Sequence, residues 1–469
     1  MGFQLPAIFG CLQVASLFAY TVGFFLVATL ASVIGWLDFV QFSILLFGAA
    51  LTAISVVNGS IRLDRPVVFL TALIVAAFAI QLAAFDRWDD ITLYKIAVVL
   101  AAHLAVINYF ALWRESPRIS RLLTYGLSGV EVIIIGQIAA SFLFLVGEVH
   151  IFRTGQIRAQ GWIGDTAALV LVFFVIYHTL TERFVRAFVA WLALLMMGGK
   201  AALGLAVLSV PIAATASARP ARVLIGGILA AATAVILFTN VVSRLPDLID
   251  GDRIPPKEIP QISPVEGIGT STWSRLSPDQ QMFLRLVRNT GVLRLASIGA
   301  GYVLFVDHPL TGAGYGLTAD RVQEAARVDV FGLQECCGIT PTHFEFINGI
   351  HNHVVRLAAE MGLPGIAIAV ALAAFVVVRA SRLYVKRRRH ACAAAGDGLD
   401  DMATAGAIWA ILFVLVHQTG AWLLPGNIQF HWLTLMMGII SMWLPETRRH
   451  LQPAAPLRGD AAVVGCVHK

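Results

Sequence analysis

Charged residues are scarce in this chain. Lys, Arg, Asp and Glu make up 13% of its 469 residues, against about 25% in an ordinary soluble domain. Apolar residues make up 58%, and the mean hydropathy is +0.79. Apolar runs of the roughly 20 residues that a spanning helix needs recur from end to end. This composition excludes an ordinary soluble protein and predicts an all-α polytopic membrane protein.

Three further features are missing from the sequence. The first is the pattern of short segments of alternating hydrophobicity that a transmembrane β-barrel would show; the apolar runs here are long. The five cysteines are scattered in a pattern that fits neither a disulfide framework nor a zinc site. No basic segment precedes the first apolar run and no small-residue cleavage site follows it, so we expect a retained helix there.

About twelve spans have the length that a bilayer demands. They cover residues 12–34, 40–57, 67–85, 93–113, 122–146, 166–181, 187–198, 201–216, 223–242, 365–384, 402–424 and 431–444. Loops rich in Lys and Arg mark the cytoplasmic side, and they lie at 61–65, 114–121, 182–186, 219–222 and 386–390. The net charge of +6 fits such loops and polyanion contacts better than nucleic-acid binding.

When each of these basic loops is placed on the cytoplasmic side, the spans alternate in direction without conflict and both termini lie inside. This topology divides the chain into five parts. They are helices 1–5 (residues 1–146), helices 6–9 with an outer loop and a hairpin (147–242), one large periplasmic loop domain (243–364), helices 10–12 (365–445) and a cytoplasmic tail (446–469). The loop domain is the largest segment outside the membrane, so we expect catalytic residues there.

Local signals predict two elements on the outer side. Ser277, Pro278 and an acidic residue in the first turn are typical of a helix start, and this helix is expected to run towards residue 306 with a break near Gly291. A turn-rich loop then covers residues 307–316. Gly198 and Gly199 end one short apolar run just before Lys200 begins the next. This spacing predicts a tight helical hairpin, because Lys200 inside one long helix would lie in the membrane.

The topology brings four elements to one membrane face. They are the loop at 158–165 with Arg158, the hairpin tip with Lys200, the helix with Arg294, and the pair His351 and Asn352. Arg and Lys bind phosphate oxygens through charge-assisted hydrogen bonds, and a histidine can take a proton from a hydroxyl near neutral pH. The cluster therefore predicts a site for a phosphorylated, lipid-linked substrate.

Other candidate contacts have simpler alternatives. Arg288 shares a helical face with Arg285, while Arg294 lies about half a turn from Arg285 on the same helix, so solvent contact is the alternative for Arg288. Gly314 could present its backbone N–H to a phosphate, or it could belong to a plain turn. Lys200 could reach lipid headgroups instead of a substrate, and Arg158 could be an exposed loop residue.

Helical geometry separates several polar residues. His351 and His353 would lie about 200° apart on a helix, which argues against a metal pair. Glu360 falls about 180° from His351, so we expect it to be structural or to bond elsewhere. Four ionisable residues fall inside predicted spans, where either function or an inter-helix hydrogen bond explains them; they are His103, Glu131, His178 and His417.

The segment from His351 to Gly365 resembles the signature of the O-antigen ligase and polymerase family. His351, Asn352, Glu360, Gly362 and Gly365 match its His-Asn pair, carboxylate and Gly-x-x-Gly. Three upstream segments are also similar to family segments, and they occur in the family's order. The first is Arg158 with Gly161 and Gly164, and the second is Gly198-Gly199-Lys200. The third is Arg294 with Asp307-His308-Pro309-Leu310 and the glycines 312, 314 and 316. The chain departs from the family at Lys200, where an arginine is usual.

The resemblance implies a GT-C-like helical fold in a bacterial inner membrane, with the site facing the periplasm. The implied activity is transfer of a glycan from a polyprenyl-diphosphate carrier to a hydroxyl, with inversion and without metal or cofactor. Arg294, Lys200 and Arg158 would neutralise the leaving diphosphate. His351 would act as general base and Asn352 would orient donor or base.

The implied acceptor is lipid A core for a ligase or the growing glycan for a polymerase; a protein acceptor, as in a protein O-oligosaccharyltransferase, is the alternative within the family. The alternative from another class is a polyprenyl-linked glycan transporter or flippase. A transporter predicts charges along the spans, broken helices and matching halves, whereas the charges here gather in one outer loop and the halves do not match. The expected partners are these substrates and membrane lipids, with no nucleic acid.

Overall fold

The computed structural model of the protein describes residues 18–23, 25–28, 65–85, 117–144, 148–151, 157–161, 166–244, 278–317, 319–333, 349–390, 398–417 and 428–443, with isolated positions at 15, 30, 50, 53, 57, 107 and 347. Its helices are α1 (Arg65–Phe85), α2 (Pro117–Phe144), α3 (Thr166–Leu180), α4 (Phe184–Met197), α5 (Lys200–Ala216), α6 (Pro220–Arg244), α7 (Pro278–Asp307), α8 (Ala319–Ala326), α9 (His353–His390), α10 (Gly398–Leu415) and α11 (Ile428–Trp443). A short π-helical segment lies at Ala19–Gly23.

Four of these helices have spans long and apolar enough to cross a membrane. The spans are Arg65–Phe85, Arg121–Phe144, Pro220–Asn240 and His353–Arg388. This finding confirms the predicted helical membrane architecture. The predicted span at 12–34 is described in part, and those at 40–57 and 93–113 lie largely outside the described residues. So do residues 418–424 of the eleventh span and the tail at 446–469.

The predicted helical hairpin is present. Helix α4 ends at Met197 with Gly198 in the left-handed conformation as its C-cap, and α5 begins at Lys200 after Gly199. A Cβ built on Gly199 would lie 3.2 Å from the Cβ of Ala168 in α3. The hairpin tip therefore packs against the first turn of α3.

A short antiparallel strand pair precedes α3. Strand β1 (Glu148–Ile151) pairs with β2 (Ile157–Gly161), and His150 lies opposite Arg158. Strand β2 packs against α2 and α4. The sequence predicted a loop around Arg158; the structure adds strands to it, and they lie at the same end of the bundle as the α4–α5 hairpin tip.

Three basic segments lie at the opposite end of the bundle: ion pairs join two of them, and the charges of Arg183 and Arg387 both act on Asp401. Glu182, in the α3–α4 turn, pairs with Arg222 at 2.9 Å and with Arg219 at 3.6 Å. Arg387 near the end of α9 pairs with Asp401 of α10 at 2.7 Å. The predicted topology requires the segments at 182–186, 219–222 and 386–390 to share one side, and they do share one end.

Helix α7 runs without interruption from Pro278 to Asp307. Its start agrees with the sequence, but the expected break near Gly291 was wrong. A glycine inside a helix costs only about 1 kcal/mol relative to alanine, which a 30-residue helix can tolerate.

Helix α9 is broken near its start. Gly362 has φ 65° and ψ −145°, so it leaves the helical conformation, and Pro364 follows two residues later. Proline has no N–H to donate and fits the first turn of a new helix. The break therefore separates a short segment next to His351 from the long apolar part that ends at His390.

Two apolar clusters hold the described residues together. The larger joins the apolar helices of the bundle. The smaller lies beneath the start of α9 and joins α7, α8 and α9 through residues such as Ala300, Val322, Ile350 and Ala359. This small core fixes the position of His351 relative to α7.

Candidate active site at the start of α9

His351 lies immediately before α9, where Asn352 caps the helix. The Asn352 Oδ1 accepts a hydrogen bond from the Val355 N–H at 3.0 Å, and the Asn352 carbonyl accepts one from the Arg356 N–H at 2.8 Å. Asparagine is among the residues that most favour this capping position. The cap fixes where the chain leaves the helix and therefore where His351 lies.

The backbone at His351 is attached to α7 one turn beyond Arg294. The His351 N–H donates to the Ser297 hydroxyl at 3.3 Å, and that hydroxyl donates to the Arg294 carbonyl at 2.8 Å. Ser297 is fully buried, while His351 and Arg294 are exposed. The buried serine therefore holds the predicted base and a predicted cation side by side at the surface.

Two positive charges act on the His351 imidazole. Partial burial of the ring lowers its pKa, and the charges of Arg294 and Arg356 lower it further. An imidazole with a lowered pKa is neutral at pH 7 and can accept a proton. The surroundings of His351 thus favour the protonation state that a general base requires.

Arg356 is a cation that the sequence analysis did not single out. Its Nε donates to the Glu360 Oε1 at 2.7 Å, and the two side chains are 20% and 2% exposed. The i, i+4 spacing of Arg356 and Glu360 on one helix was a usable sequence signal. Glu360 was expected to be structural or to bond elsewhere, and its bond to Arg356 agrees with that expectation.

Glu360 also holds the glycine-rich loop, defined here as residues 308–317. Its carboxylate accepts hydrogen bonds from the backbone N–H groups of Gly316 and Leu317. A buried carboxylate needs such donors and a counter-charge, and Glu360 has both. It therefore links the end of the loop to Arg356 and so to the surroundings of His351.

The glycine-rich loop fills the break in α9. The Ala313 N–H donates to the Ala359 carbonyl at 2.7 Å, and the Gly314 N–H donates to the Glu360 carbonyl at 3.1 Å. In an unbroken helix the Glu360 carbonyl would accept from residue 364, a proline without an N–H. The Leu363 N–H in turn donates to the Pro309 carbonyl at 2.9 Å. Loop and helix therefore complete each other's backbone hydrogen bonding.

Helix α1 holds the same loop from the other side. The buried Gln81 amide donates to the Thr311 carbonyl and accepts from the Tyr315 N–H at 3.0 Å. The Tyr315 ring packs edge-on against Phe78, with 4.9 Å between ring centroids. These contacts link residues more than 200 positions apart in the chain, so the sequence carried no signal for them.

The remaining predicted site residues take different positions. Gly314 is buried and its N–H donates to the Glu360 carbonyl; its predicted phosphate contact stays a prediction and would require this hydrogen bond to open. Arg158 lies in β2, Lys200 begins α5 and Arg288 lies in α7. Their side chains are outside the described part of the structure, so the site described here consists of His351, Asn352, Arg294, Arg356 and Glu360.

The two histidines of the segment have different surroundings. His351 is exposed, whereas His353 is 1% exposed, in agreement with the prediction that they face opposite ways. Among the described residues, no group of three or more His, Cys, Asp or Glu side chains is arranged to hold a metal ion.

Two of the ionisable residues predicted inside spans pair with each other. His178 of α3 and Glu131 of α2 are buried, and their side chains meet at 2.7 Å. This contact is an inter-helix hydrogen bond, one of the two explanations that the sequence analysis gave for these residues. His417 packs against Phe413, with 5.5 Å between ring centroids, and His103 lies outside the described residues.

In comparisons with known proteins, neither a family model nor a curated protein sequence matches this chain.

Proposed function

We propose that this protein is an inverting membrane glycosyltransferase of the O-antigen ligase or polymerase type. It would move a glycan from a polyprenyl-diphosphate carrier to a hydroxyl acceptor on the periplasmic face of a bacterial inner membrane. The observation that supports this proposal most is the exposed His351 imidazole, which lies beside two guanidinium groups at one end of an apolar helical bundle. The GT-C-like fold, the twelve spans and the periplasmic position of residues 243–364 belong to the proposal.

The proposed reaction uses the residues in separate roles. The acceptor oxygen attacks the anomeric carbon as its proton passes to the neutral His351 imidazole. The bond between that carbon and the diphosphate oxygen breaks on the opposite face, so the anomeric configuration inverts. The polyprenyl diphosphate leaves with the bonding electrons, and cations from Arg294, Lys200 and Arg158 stabilise its charge. Asn352 holds the His351 backbone in position.

A transporter or flippase is the second candidate, because ionisable side chains are buried in candidate spans. Glu131 is 8% exposed and Arg379 is 6% exposed. Both have partners, since Glu131 pairs with His178 and Arg379 donates to the Ser441 hydroxyl at 2.8 Å. Such bonds between helices are what helix packing requires, so they favour the transporter less than the exposed site favours the enzyme.

Transfer by the purified protein in proteoliposomes tests the proposal. The donor is a polyprenyl-diphosphate oligosaccharide, and the variants are His351→Ala and Arg294→Ala. Loss of a general base costs about 10²- to 10⁴-fold in rate, and we expect a comparable loss for His351→Ala. Because both residues are exposed, the variants should fold. Full activity in both variants would reject the assigned roles.

A deletion strain identifies the acceptor. Mass spectrometry of surface glycans should show lipid A core without its glycan for a ligase, short chains for a polymerase, or unglycosylated proteins for a protein O-oligosaccharyltransferase. Loss of the glycan from all three fractions, with lipid-linked glycan accumulating on the cytoplasmic side, would favour the flippase instead.

A further inference from the structure

Arg356 lies at the proposed site although it belongs to none of the segments considered above as phosphate-binding. It is in the first turn of α9, just after the Asn352 cap. A Cβ built on Gly349 would lie 4.0 Å from the Arg356 Nη1. The guanidinium therefore lies next to the backbone that leads into His351.

The two edges of this guanidinium have different surroundings. The Nε edge is bonded to Glu360, which is 2% exposed and is itself held by the glycine-rich loop. The Arg356 side chain remains 20% exposed, and the Nη1 lies on the His351 side. An arginine fixed at Nε loses little further freedom when its Nη groups bind a ligand.

We propose that Arg356 binds a phosphoryl oxygen of the donor's diphosphate through its Nη groups, while Glu360 orients the guanidinium through Nε. This inference rests on the proposed function, since it names a further contact to the same diphosphate. Arg356 and Arg294 would then hold the diphosphate from two helices, α9 and α7. A planar guanidinium suits phosphate because it can form two parallel hydrogen bonds, which a lysine ammonium such as that of Lys200 cannot.

A purely structural ion pair is the alternative. Arg356→Gln alone would leave the Glu360 carboxylate buried without its counter-charge and could unfold the region. The double variant Arg356→Gln/Glu360→Gln removes both charges, and the new amide oxygen at 360 can still accept from Gly316 and Leu317. Arg222→Gln is the matched control, because it breaks an arginine–glutamate pair of 2.9 Å at the other end of the bundle.

Two readouts test the proposal on full-length protein in lipid nanodiscs. The first is the affinity for polyprenyl diphosphate that carries no glycan. The second is transfer from the glycan-bearing donor, as kcat and KM against pH. We expect the double variant to keep the thermal midpoint of the wild type, to lose about tenfold in affinity and to gain about tenfold in KM, the equivalent of one charged hydrogen bond. Arg356→Lys should be intermediate, and Arg222→Gln should change neither readout.

The pH profile tests whether the Arg356 charge reaches His351, while the lipid affinity tests the phosphate contact itself. The charges that act on His351 come from Arg294 on α7 and Arg356 on α9. Without the Arg356 charge the His351 pKa rises, so the acid limb of kcat/KM should move to higher pH in the double variant. Wild-type affinity in a folded double variant would overturn the inference, whether or not the profile moves.

The outcomes also separate this inference from the proposed function. Wild-type transfer combined with unchanged lipid affinity in the double variant would reject the role of Arg356 alone. The wild type could bind the lipid through Arg356 and yet transfer glycan to no acceptor. That result would reject the glycosyltransferase and keep the anion contact. A wild-type protein that does not bind the diphosphate lipid would reject both.

Discussion

Gly362 and Gly312 lie so close together that a Cβ built on Gly362 would be 2.8 Å from the backbone nitrogen of Gly312. A Cβ on Gly312 would in turn be 2.3 Å from the carbonyl carbon of Glu360. Both glycines have positive φ, 69° at Gly312 and 65° at Gly362. Backbone contact and backbone conformation both require glycine here, so this contact fixes the glycine-rich loop against α9.

We predict that Gly312→Ala and Gly362→Ala each lower the thermal midpoint and the transfer rate. The left-handed conformation alone costs an alanine about 1–2 kcal/mol, and the overlap with backbone atoms adds to this. Gly204→Ala is the control, since a Cβ at Gly204 in α5 meets nothing within 4 Å. Thermal unfolding in detergent measures the effect, and a wild-type midpoint in Gly312→Ala would contradict it.

We predict that transfer depends on pH through His351. A neutral imidazole is required, so kcat/KM should rise with pH across the His351 pKa, which burial, Arg294 and Arg356 hold below its ordinary value. Arg294→Gln removes a nearby positive charge, which raises that pKa and moves the acid limb to higher pH. Arg294→Lys keeps the charge and should leave the limb in place. Identical limbs in the wild type and Arg294→Gln would contradict the prediction.

We predict that substitutions of Asn352 separate its cap from its effect on the donor. Asn352→Ala removes the 3.0 Å bond to the Val355 N–H and should cost about 0.5–2 kcal/mol of stability. Asn352→Asp keeps a good cap but places a negative charge beside the donor diphosphate. It should therefore keep the wild-type thermal midpoint and lose transfer. Wild-type transfer by a stable Asn352→Asp would limit Asn352 to its capping role.

We predict that the Glu131–His178 pair serves packing and not transfer. Removing one partner of a buried hydrogen bond leaves the other polar group unsatisfied at a cost of about 1–3 kcal/mol, so Glu131→Leu should lower the thermal midpoint. The double variant Glu131→Leu/His178→Leu should recover most of that loss, because no polar group is left unpaired. The transfer rate per folded molecule should stay unchanged in the double variant. A folded double variant without transfer would make the pair part of the function.

The sequence predicted the elements whose signals are local. The α4–α5 hairpin at Gly198 and Lys200 followed from two glycines between apolar runs, and the start of α7 at Pro278 followed from its capping residues. These features depend on neighbouring residues and on the length that a membrane requires. These features could therefore be predicted from the sequence without knowledge of any tertiary contact.

Features that depend on distant contacts could not be predicted. Nothing near Gln81 indicates that it bonds to Thr311 and Tyr315. The break at Gly362 exposes backbone carbonyls, and the glycine-rich loop donates hydrogen bonds to them. Pro364 was the local indication of a break. Arg356 differs, because its i, i+4 spacing from Glu360 is a local signal for a pair, but that spacing does not place the pair beside His351.

The fit of the glycine-rich loop into α9 has a consequence for biosynthesis. The loop precedes α9 in the chain, so it is already translated when the ribosome adds Gly362. Without it, the buried Ala359 and Glu360 carbonyls would lack their partners, and unpaired buried peptide groups cost free energy. The break in α9 therefore reaches its final conformation only by docking on residues translated earlier, which couples the folding of this helix to assembly of the site.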